Sequence, residues 1–216
     1  MKEAITGREA AAIVPDGAVL AIGGCMGGGT PHRVVDALVE AGRRNLPVIG
    51  NDAGRPDFGI GRLVRARAVS KLIVSHIGLN PEAQKQMIEG DVVIDLVPQG
   101  TLVEQLRAAG FGLGGVLTKT ALGTPEADGK RVIEIDGEDW LYEPPLKADF
   151  ALIHADQADY VGNLTYQLTA TNFNPIMAMA AETVICEPRV IVPVGVIPPD
   201  AVRTPGVLVK HLIARG

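Results

Sequence analysis

The feature that most constrains this chain is a repeated order of elements: a short apolar run, a turn, and then a helix start. The apolar runs are mostly continuous rather than alternating, which is typical of strands that helices cover on both faces, as in parallel sheets. The chain is therefore predicted to be an α/β protein with an open, mostly parallel sheet and helices on both faces. The predicted strands are Ala18–Ile22, Leu46–Ile49, Lys71–Ser75, Val92–Val97, Phe150–His154, Thr183–Cys186 and Val190–Val194.

The helix starts are marked by capping residues. Thr30-Pro31, Asn80-Pro81 and Asn174-Pro175 each place a capping side chain before a proline, which favours the first helical position. Thr101 and Glu104 fit a capping box, in which the two side chains satisfy free backbone N–H groups reciprocally. Four helices are expected to begin at these points.

One stretch departs from this order. Residues 131–135 and 139–142 flank the turn dipeptide Asp136-Gly137, which predicts a small antiparallel hairpin at the edge or over the end of the sheet. The sequence has no internal repeat and no long linker. Residues 1–216 are therefore predicted to form a single domain.

Composition narrows the class of protein. Hydrophobic residues make up 47% of the 216, which excludes disorder as the main state. A formal net charge of −5 and an aromatic content of 4% argue against a nucleic-acid partner. The sequence has no apolar run of about 18 residues and no signal-peptide profile, and its two cysteines cannot build a disulfide framework. We therefore expect a cytoplasmic protein that does not contact a membrane.

The densest chemical signal is the glycine-rich segment 23–31, which holds Gly23, Gly24, Gly27, Gly28 and Gly29 between a strand and a helix. Glycine permits positive φ and close approach of a ligand, and a helix N-terminus offers N–H groups to an anion. The segment predicts a site for a phosphate or thioester ligand; the alternative is a tight turn without a ligand. Neither the P-loop nor the dinucleotide fingerprint fits these glycines, which speaks against a nucleotide-dependent dehydrogenase.

A second signal is Gln99, in the segment 97–102 between a strand and a helix. Open α/β sheets bind ligands at the carboxyl ends of their strands, and an amide there can donate a hydrogen bond to a developing oxyanion. The alternative is a turn glutamine that bonds to the backbone. Segments 50–54 and 172–175 also place small polar side chains at element ends, where turn chemistry alone explains them.

Other catalytic patterns are missing from the sequence. Ser70 and Ser75 are its serines, and neither lies in a nucleophile elbow. The four histidines are isolated and lack metal-ligand spacing, so no metal is expected. No carboxylate pair stands out. Cys25 would be reactive if the helix dipole lowered its pKa, and is otherwise a small filler.

At these residues the sequence resembles a known family. The order Asp16-Gly17, Leu20-Ala21-Ile22, Gly23-Gly24 and Gly29-Thr30-Pro31 resembles the signature of coenzyme A-transferase family I α subunits. The nearest resemblance is to α subunits of the acetate/acetoacetate (3-oxoacid) type. Further segments similar to that family follow in order: Gly50-Asn51-Asp52, Ser75-His76-Ile77-Gly78, Val97-Pro98-Gln99-Gly100-Thr101-Leu102, Gly162-Asn163-Leu164-Thr165-Tyr166 and Asn172-Phe173-Asn174-Pro175.

The resemblance implies the NagB/RpiA-like fold of CoA-transferases and a transfer of CoA between an acyl-CoA and a carboxylate. A glutamate of a separate β subunit forms an acyl-glutamyl anhydride and then a glutamyl-CoA thioester, so this chain alone is expected to be inactive. It also implies an α2β2 heterotetramer, with acyl-CoA and a carboxylate as substrates and no cofactor beyond the CoA thioester itself.

For this chain the resemblance implies that Gln99 is the oxyanion donor. It places the acyl-CoA near the loop Gly24, Cys25, Met26, Gly27, Gly28, Gly29 and Thr30, with Asn51 beside it. The family usually has phenylalanine where this chain has Cys25, and the smaller side chain leaves room that would alter the preference for the acyl group. A non-enzymatic acyl-CoA or sugar-phosphate sensor on the same fold is the alternative, because fold alone does not fix function.

Overall fold

In the computed structural model, which describes residues 1–214, a nine-stranded sheet and a three-stranded sheet account for the strands. The strands are β1 Ala4–Ile5, β2 Leu20–Ile22, β3 Leu46–Ile49, β4 Val69–Val74, β5 Val93–Leu96, β6 Val116–Thr118, β7 Val132–Ile135, β8 Glu138–Glu143, β9 Ala148–Asp159, β10 Leu164–Thr165, β11 Ala181–Val192 and β12 His211–Ile213. The helices are α1 Gly7–Ile13, α2 His32–Glu40, α3 Gly61–Arg65, α4 Pro81–Glu89, α5 Gln99–Gly110 and α6 Asn174–Ala180.

The large sheet is mostly parallel. Its order is β1-β12-β11-β9-β2-β3-β4-β5, and each neighbouring pair in that order is parallel, while β10 adds antiparallel to β9. The longest pairing joins β9 to β11, from Ala148↔Ala181 to Asp159↔Val192. The prediction of an open, mostly parallel α/β sheet is confirmed.

Helices cover both faces of this sheet, and the strand sequences show why. On β2, Leu20 and Ile22 face a core built with α1 to α4, whereas Ala21 faces a second core built with α5 and α6. Leu38 of α2 and Leu106 of α5 are fully buried on opposite sides. A strand apolar on both faces needs two such layers to remove its side chains from water. No helix within residues 1–214 has the length and apolar character to cross a bilayer.

The strand predictions are accurate at β3, whose bounds match, and wrong at β11. Thr183–Cys186 and Val190–Val194 are not two strands, because a single strand runs from Ala181 to Val192 through Pro188. The φ angle of proline suits an extended chain, and its missing N–H removes at most one hydrogen bond of the ladder. Pairing with β9 on either side of Pro188 maintains the strand.

Of the four predicted helix starts, one is capped as expected. The Oδ1 atom of Asn80 accepts the N–H of Ala83 at 3.1 Å, and Pro81 begins α4. The capping box at Thr101 and Glu104 is wrong, because α5 already begins at Gln99 and both residues lie inside the helix.

The caps predicted at Thr30 and Asn174 are also wrong. Helix α2 has Pro31 and helix α6 has Phe173 at the N-cap position, and neither makes a side-chain cap bond. The amide of Asn174 is used elsewhere, since its Oδ1 atom accepts the backbone N–H of His154 at 3.0 Å. The asparagine therefore ties the start of α6 to the neighbouring strand β9.

The predicted hairpin is confirmed as β7 and β8, which pair antiparallel from Val132↔Leu141 to Ile135↔Glu138. Asp136 and Gly137 have φ of 53° and 77°, the left-handed pair that a two-residue hairpin turn requires. Strand β6, which was not predicted, adds to β8 and completes the small sheet.

Candidate active site

The predicted site residues lie at one end of the large sheet. The glycine-rich loop follows β2, residues 51–54 follow β3, and Gln99 follows β5. These strands belong to the parallel set β2-β3-β4-β5, so their carboxyl ends meet at the same edge, where open α/β sheets bind ligands. The fold therefore brings the loop, Asn51 and Gln99 together.

The tip of the loop is a tight turn. Cys25 donates its N–H to the carbonyl of Gly28 at 3.0 Å, and Gly28 donates back to the carbonyl of Cys25 at 2.9 Å. Met26 and Gly27 between them have φ of 49° and 88°. The Met26 side chain is 50% exposed, so the turn presents it to solvent.

Packing inside the protein leaves no room for a Cβ at four of the five loop glycines, of which Gly24 and Gly27 are examples. Gly24 has φ of 125°, and a Cβ there would lie 2.0 Å from Oγ1 of Thr30. A Cβ on Gly27 would lie 2.0 Å from the ring of Phe58. Gly28 is exposed and has room for a Cβ, whose nearest neighbour would be at 3.4 Å. Most of the loop glycines are thus explained by contacts of the loop with the rest of the chain, and not by a ligand. The tip is the part of the loop that is open to a ligand.

The expectation that the α2 N-terminus offers free N–H groups to a ligand is wrong. The Oε2 atom of Glu187 on β11 accepts the N–H of Arg33 at 2.8 Å and that of Val34 at 3.1 Å, and its Oε1 atom lies 3.3 Å from Nε of Arg33. The side chain of Glu187 is buried. A carboxylate of the protein therefore occupies the place that an anionic ligand would take.

A hydrogen-bonded network joins the three predicted parts of the site. Gln99 donates from Nε2 to Oδ1 of Asn51. Asn51 in turn donates from Nδ2 to Sγ of Cys25 at 3.1 Å and to Oδ2 of Asp52 at 3.0 Å. Its backbone carbonyl accepts the N–H and the hydroxyl of Ser75 at 3.0 and 2.7 Å. Asn51 is buried, whereas Gln99 is exposed at the mouth of the site.

The Asp52 carboxylate is buried behind this network. Its Oδ2 atom accepts the N–H of Met26 at 2.7 Å, and its Oδ1 atom accepts the N–H of Gly54 at 2.7 Å. From the sequence, turn chemistry alone explains an aspartate at this position. The bonds of Asp52 to Met26 and Asn51 are therefore not predicted. The signal available was a carboxylate directly beside Asn51 at the end of a buried strand.

The Cys25 thiol is held in its neutral form. Burial raises its pKa, and the negative charge of Asp52 raises it further. The alternative in which the helix dipole activates this thiol is not supported, because Glu187 already occupies the N-terminus of α2 and the Asp52 carboxylate lies near the thiol. Cys186 is fully buried and burial raises the pKa of its thiol as well.

Two asparagines outside the predicted site also form hydrogen bonds with the loop. Asn172 accepts the N–H of Gly24 at 3.1 Å and donates to the carbonyl of Gly28 at 3.0 Å. Asn174 donates to the carbonyl of Gly29 at 3.0 Å. Asn172 has φ of 21°, a conformation that its many side-chain bonds maintain. Both residues lie in a segment that turn chemistry alone explained.

A cavity of about 630 Å³ lies between the edge of the large sheet and the small sheet. The ion pairs Lys71–Asp95 and Lys130–Glu143 line it, and none of the predicted site residues does. Within residues 1–214 no group of three or more His, Cys, Asp or Glu side chains is placed to hold a metal ion.

The structure is an open α/β sheet with amide side chains grouped at the carboxyl ends of its strands, which is where proteins of this class bind ligands. Comparison with known proteins makes the class specific. The family model "Coenzyme A transferase" matches residues 5–215, and the chain belongs to that family.

The chain corresponds to the alpha subunits of this family. It is 49% identical to the acetate CoA-transferase subunit alpha of Escherichia coli over 209 residues, which cover 97% of this chain and 95% of that protein. It is 46% identical to the acetoacetyl-CoA:acetate/butyrate CoA transferase alpha subunit of Clostridium acetobutylicum over 198 residues, which cover 92% and 91%. These relatives are transferases, and the chain is a transferase subunit of the same kind.

Solved structures confirm the fold. The acyl-CoA transferase YdiF of Escherichia coli superposes with a TM-score of 0.89 at 24% identity. The alignment covers 99% of this chain and 47% of YdiF, so the chain spans about half of that protein.

Proposed function

We propose that this chain is the α half of a heteromeric enzyme that moves CoA between an acyl-CoA and a carboxylate. The observation that carries the proposal is the pairing of Gln99 with Asn51 at the open end of the sheet, beside the exposed loop tip. The carboxylate that joins this network, Asp52, is buried and fully hydrogen-bonded. The Cys25 thiol of the same network has a raised pKa, so the groups that the site offers are hydrogen-bond donors, in keeping with a nucleophile that comes from a second chain.

The proposed reaction is covalent and runs in two halves. A glutamate of the β subunit attacks the thioester carbonyl, and the tetrahedral oxyanion collapses with loss of the CoA thiolate to give an acyl-glutamyl anhydride. The thiolate then attacks the glutamyl carbonyl of the anhydride, which releases the first carboxylate and leaves a glutamyl-CoA thioester. The second carboxylate reverses these steps and leaves as its own CoA thioester, which regenerates the glutamate.

In this reaction the part of Gln99 is to stabilise the oxyanion. A glutamine amide has two N–H donors, and the bond to Asn51 uses one of them. The second is available at the mouth of the site, where a developing negative charge gains most from a fixed donor. The loop tip, with Met26, Gly28 and the small Cys25, is proposed to contact the acyl-CoA. The names of the relatives support acyl groups of the acetate, acetoacetate and 3-oxoacid class.

The surface around the loop supports a partner chain. Met26 and Phe58 are 50% and 40% exposed; Met26 lies at the tip of the glycine-rich loop, and the ring of Phe58 lies beside Gly27. Apolar side chains grouped at a site mouth are typical of an interface. We propose that the β subunit covers them in an α2β2 assembly in the cytoplasm, with CoA entering as a thioester substrate and no resident cofactor.

The test is co-expression of the chain with the β subunit encoded in the same source, followed by measurement of native mass and of CoA transfer. Equal amounts of the two chains and transfer by the complex alone are expected. Gln99→Ala should lower kcat about 100- to 1000-fold with little change in KM. Gln84→Ala on α4 is the matched control. Full activity of the Gln99 variant would remove this residue from the site, and acyl-CoA binding by the chain without a partner or transfer would favour the sensor alternative.

A further inference from the structure

Asp52 has more hydrogen-bond partners than a turn residue needs. Its buried carboxylate accepts from Gly54 within the turn, from Met26 at the loop tip and from the side chain of Asn51. The contact with Gly54 is the local turn bond that aspartate commonly makes. The other two contacts reach the candidate site and require a separate explanation.

The contact with Asn51 fixes the direction of an amide. An asparagine side chain has an oxygen that accepts and a nitrogen that donates, and the two exchange places when the amide turns over. Both oxygens of Asp52 act as acceptors here, from Met26 and from Gly54, so the carboxylate requires Nδ2 of Asn51 to face it, as observed at 3.0 Å. The Oδ1 atom of Asn51 then faces Gln99 and accepts from its Nε2.

The opposite orientation is unfavourable at both ends. It would place the Asn51 oxygen against the Asp52 carboxylate, and the Asn51 NH2 group against the NH2 group of Gln99. Two buried acceptors without a proton between them and two donors without an acceptor each cost a hydrogen bond. Asp52 therefore fixes the orientation of the Asn51 amide, and Asn51 in turn fixes the orientation of the Gln99 amide.

We propose that Asp52 is a positioning residue of the active site: by holding Asn51 it sets the orientation in which Gln99 presents its free N–H to the substrate carbonyl. This inference rests on the proposed function, in which Gln99 is the oxyanion donor. Because Asp52 also binds the N–H of Met26, the loop tip and the donor are held by the same carboxylate. Preorganisation of this kind matters because small misplacements of a catalytic group are costly.

Two variants separate positioning from turn formation. Asn51→Ala leaves the bonds of Asp52 to Met26 and Gly54 in place and removes the connection to Gln99. Asp52→Ala removes every bond of the carboxylate. Both should lower kcat of the assembled enzyme about 10- to 100-fold with KM changed less than about threefold. Asp52→Asn places an NH2 group against either the Gly54 N–H or the Met26 and Asn51 donors, so it should also lower kcat, and Asp139→Ala, an exposed carboxylate of β8, is the control.

A double-mutant cycle tests whether Asp52 acts through Gln99. In the Gln99→Ala background, Asn51→Ala, which leaves the bond of Asp52 to Met26 in place, should lower kcat by less than about threefold further, because the Gln99 amide that Asp52 orients through Asn51 is already absent. A loss in that background as large as in the wild type would overturn the inference. So would unchanged kcat in Asn51→Ala.

An NMR measurement on the ¹⁵N-labelled full chain separates this inference from the proposed function. The side-chain amide resonances of Gln99, assigned by their loss in Gln99→Ala, should move toward those of a free glutamine in Asp52→Ala and remain in place in Asp139→Ala. If they remain in place in Asp52→Ala, the inference is wrong whatever the activity. If they move but Gln99→Ala transfers CoA normally, the orientation by Asp52 holds and the proposed role of Gln99 fails.

Discussion

The Glu187 carboxylate is expected to be one of the most costly side chains to remove. Glu187→Ala would leave the N–H groups of Arg33 and Val34 without their acceptor and the guanidinium of Arg33 without its ion pair. Hydrogen bonds to a charged group contribute about 1.5–3 kcal/mol each, and breaking a buried pair costs about 3–5 kcal/mol. The Arg33 side chain is 36% exposed, so water replaces part of the loss.

We therefore expect Glu187→Ala to lower the free energy of unfolding by about 3 kcal/mol, the lower end of that range. At about 2–4 °C per kcal/mol for a chain of this size, the melting temperature should fall by about 6–12 °C. Glu187→Gln keeps an oxygen for both N–H groups but places an NH2 group beside Arg33, so it should cost about 1 kcal/mol.

Urea denaturation followed by circular dichroism measures these differences, provided that the slope with denaturant is unchanged. Glu182→Ala is the matched control, because Glu182 is exposed on the same strand and should change stability by less than about 0.5 kcal/mol. Equal losses in the Gln and Ala variants, or a loss in Ala no larger than in the control, would show that the capping argument is wrong.

Three further predictions concern single side chains. Burial and the charge of Asp52 raise the pKa of Cys25, so its alkylation by iodoacetamide should be slow at neutral pH. The rate of alkylation should continue to increase as the pH is raised above 9.0, the ordinary pKa of a thiol. Cys186, which is fully buried, should stay unmodified in the folded chain. Burial lowers the pKa of His154 below 6.5, so as the pH falls the unfolded state takes up a proton before the folded state does. The free energy of unfolding should therefore fall as the pH drops below 6.5. His154→Gln should remove that part of the pH dependence in denaturant titrations. Asn80→Ala should cost about 1–2 kcal/mol in the same titrations, since it removes the cap of α4.

The large sheet can be predicted because its main strands are continuous apolar runs in the sequence. Runs such as Leu46–Ile49 are apolar on every residue, which in a parallel sheet is the direct consequence of two covering layers. The turn at Asp136-Gly137 is equally local, because its positive φ angles restrict the residue types. Strands β1 and β6 have no fully buried residue, unlike the equally short β2, so they lack this signal and are not predicted. The prediction that residues 1–216 form a single domain stays a prediction.

The sequence predicts where the candidate site lies, but it does not predict which of its side chains are hydrogen-bonded to one another. Gln99, Asn51 and the loop each follow a strand, so the topology alone places them at one edge. The bond between Gln99 and Asn51 joins residues 48 positions apart, and that between Arg33 and Glu187 joins residues 154 apart. Such contacts depend on the tertiary structure, and no local pattern in the chain encodes them. The catalytic and binding roles of these residues stay predictions.

The order of strands in the large sheet has a consequence for synthesis on the ribosome. Strands β2 to β5 are neighbours both in sequence and in the sheet, and this part of the sheet can assemble early. Its inner edge, Leu20 to Ile22, pairs with Phe150 to Leu152, which emerge much later. Until then an apolar strand edge is unpaired, which is a template for aggregation, and sheets with such distant pairings fold slowly. The nascent chain should therefore depend on chaperones until β9 is released, and slowing translation before that strand should lower the soluble yield.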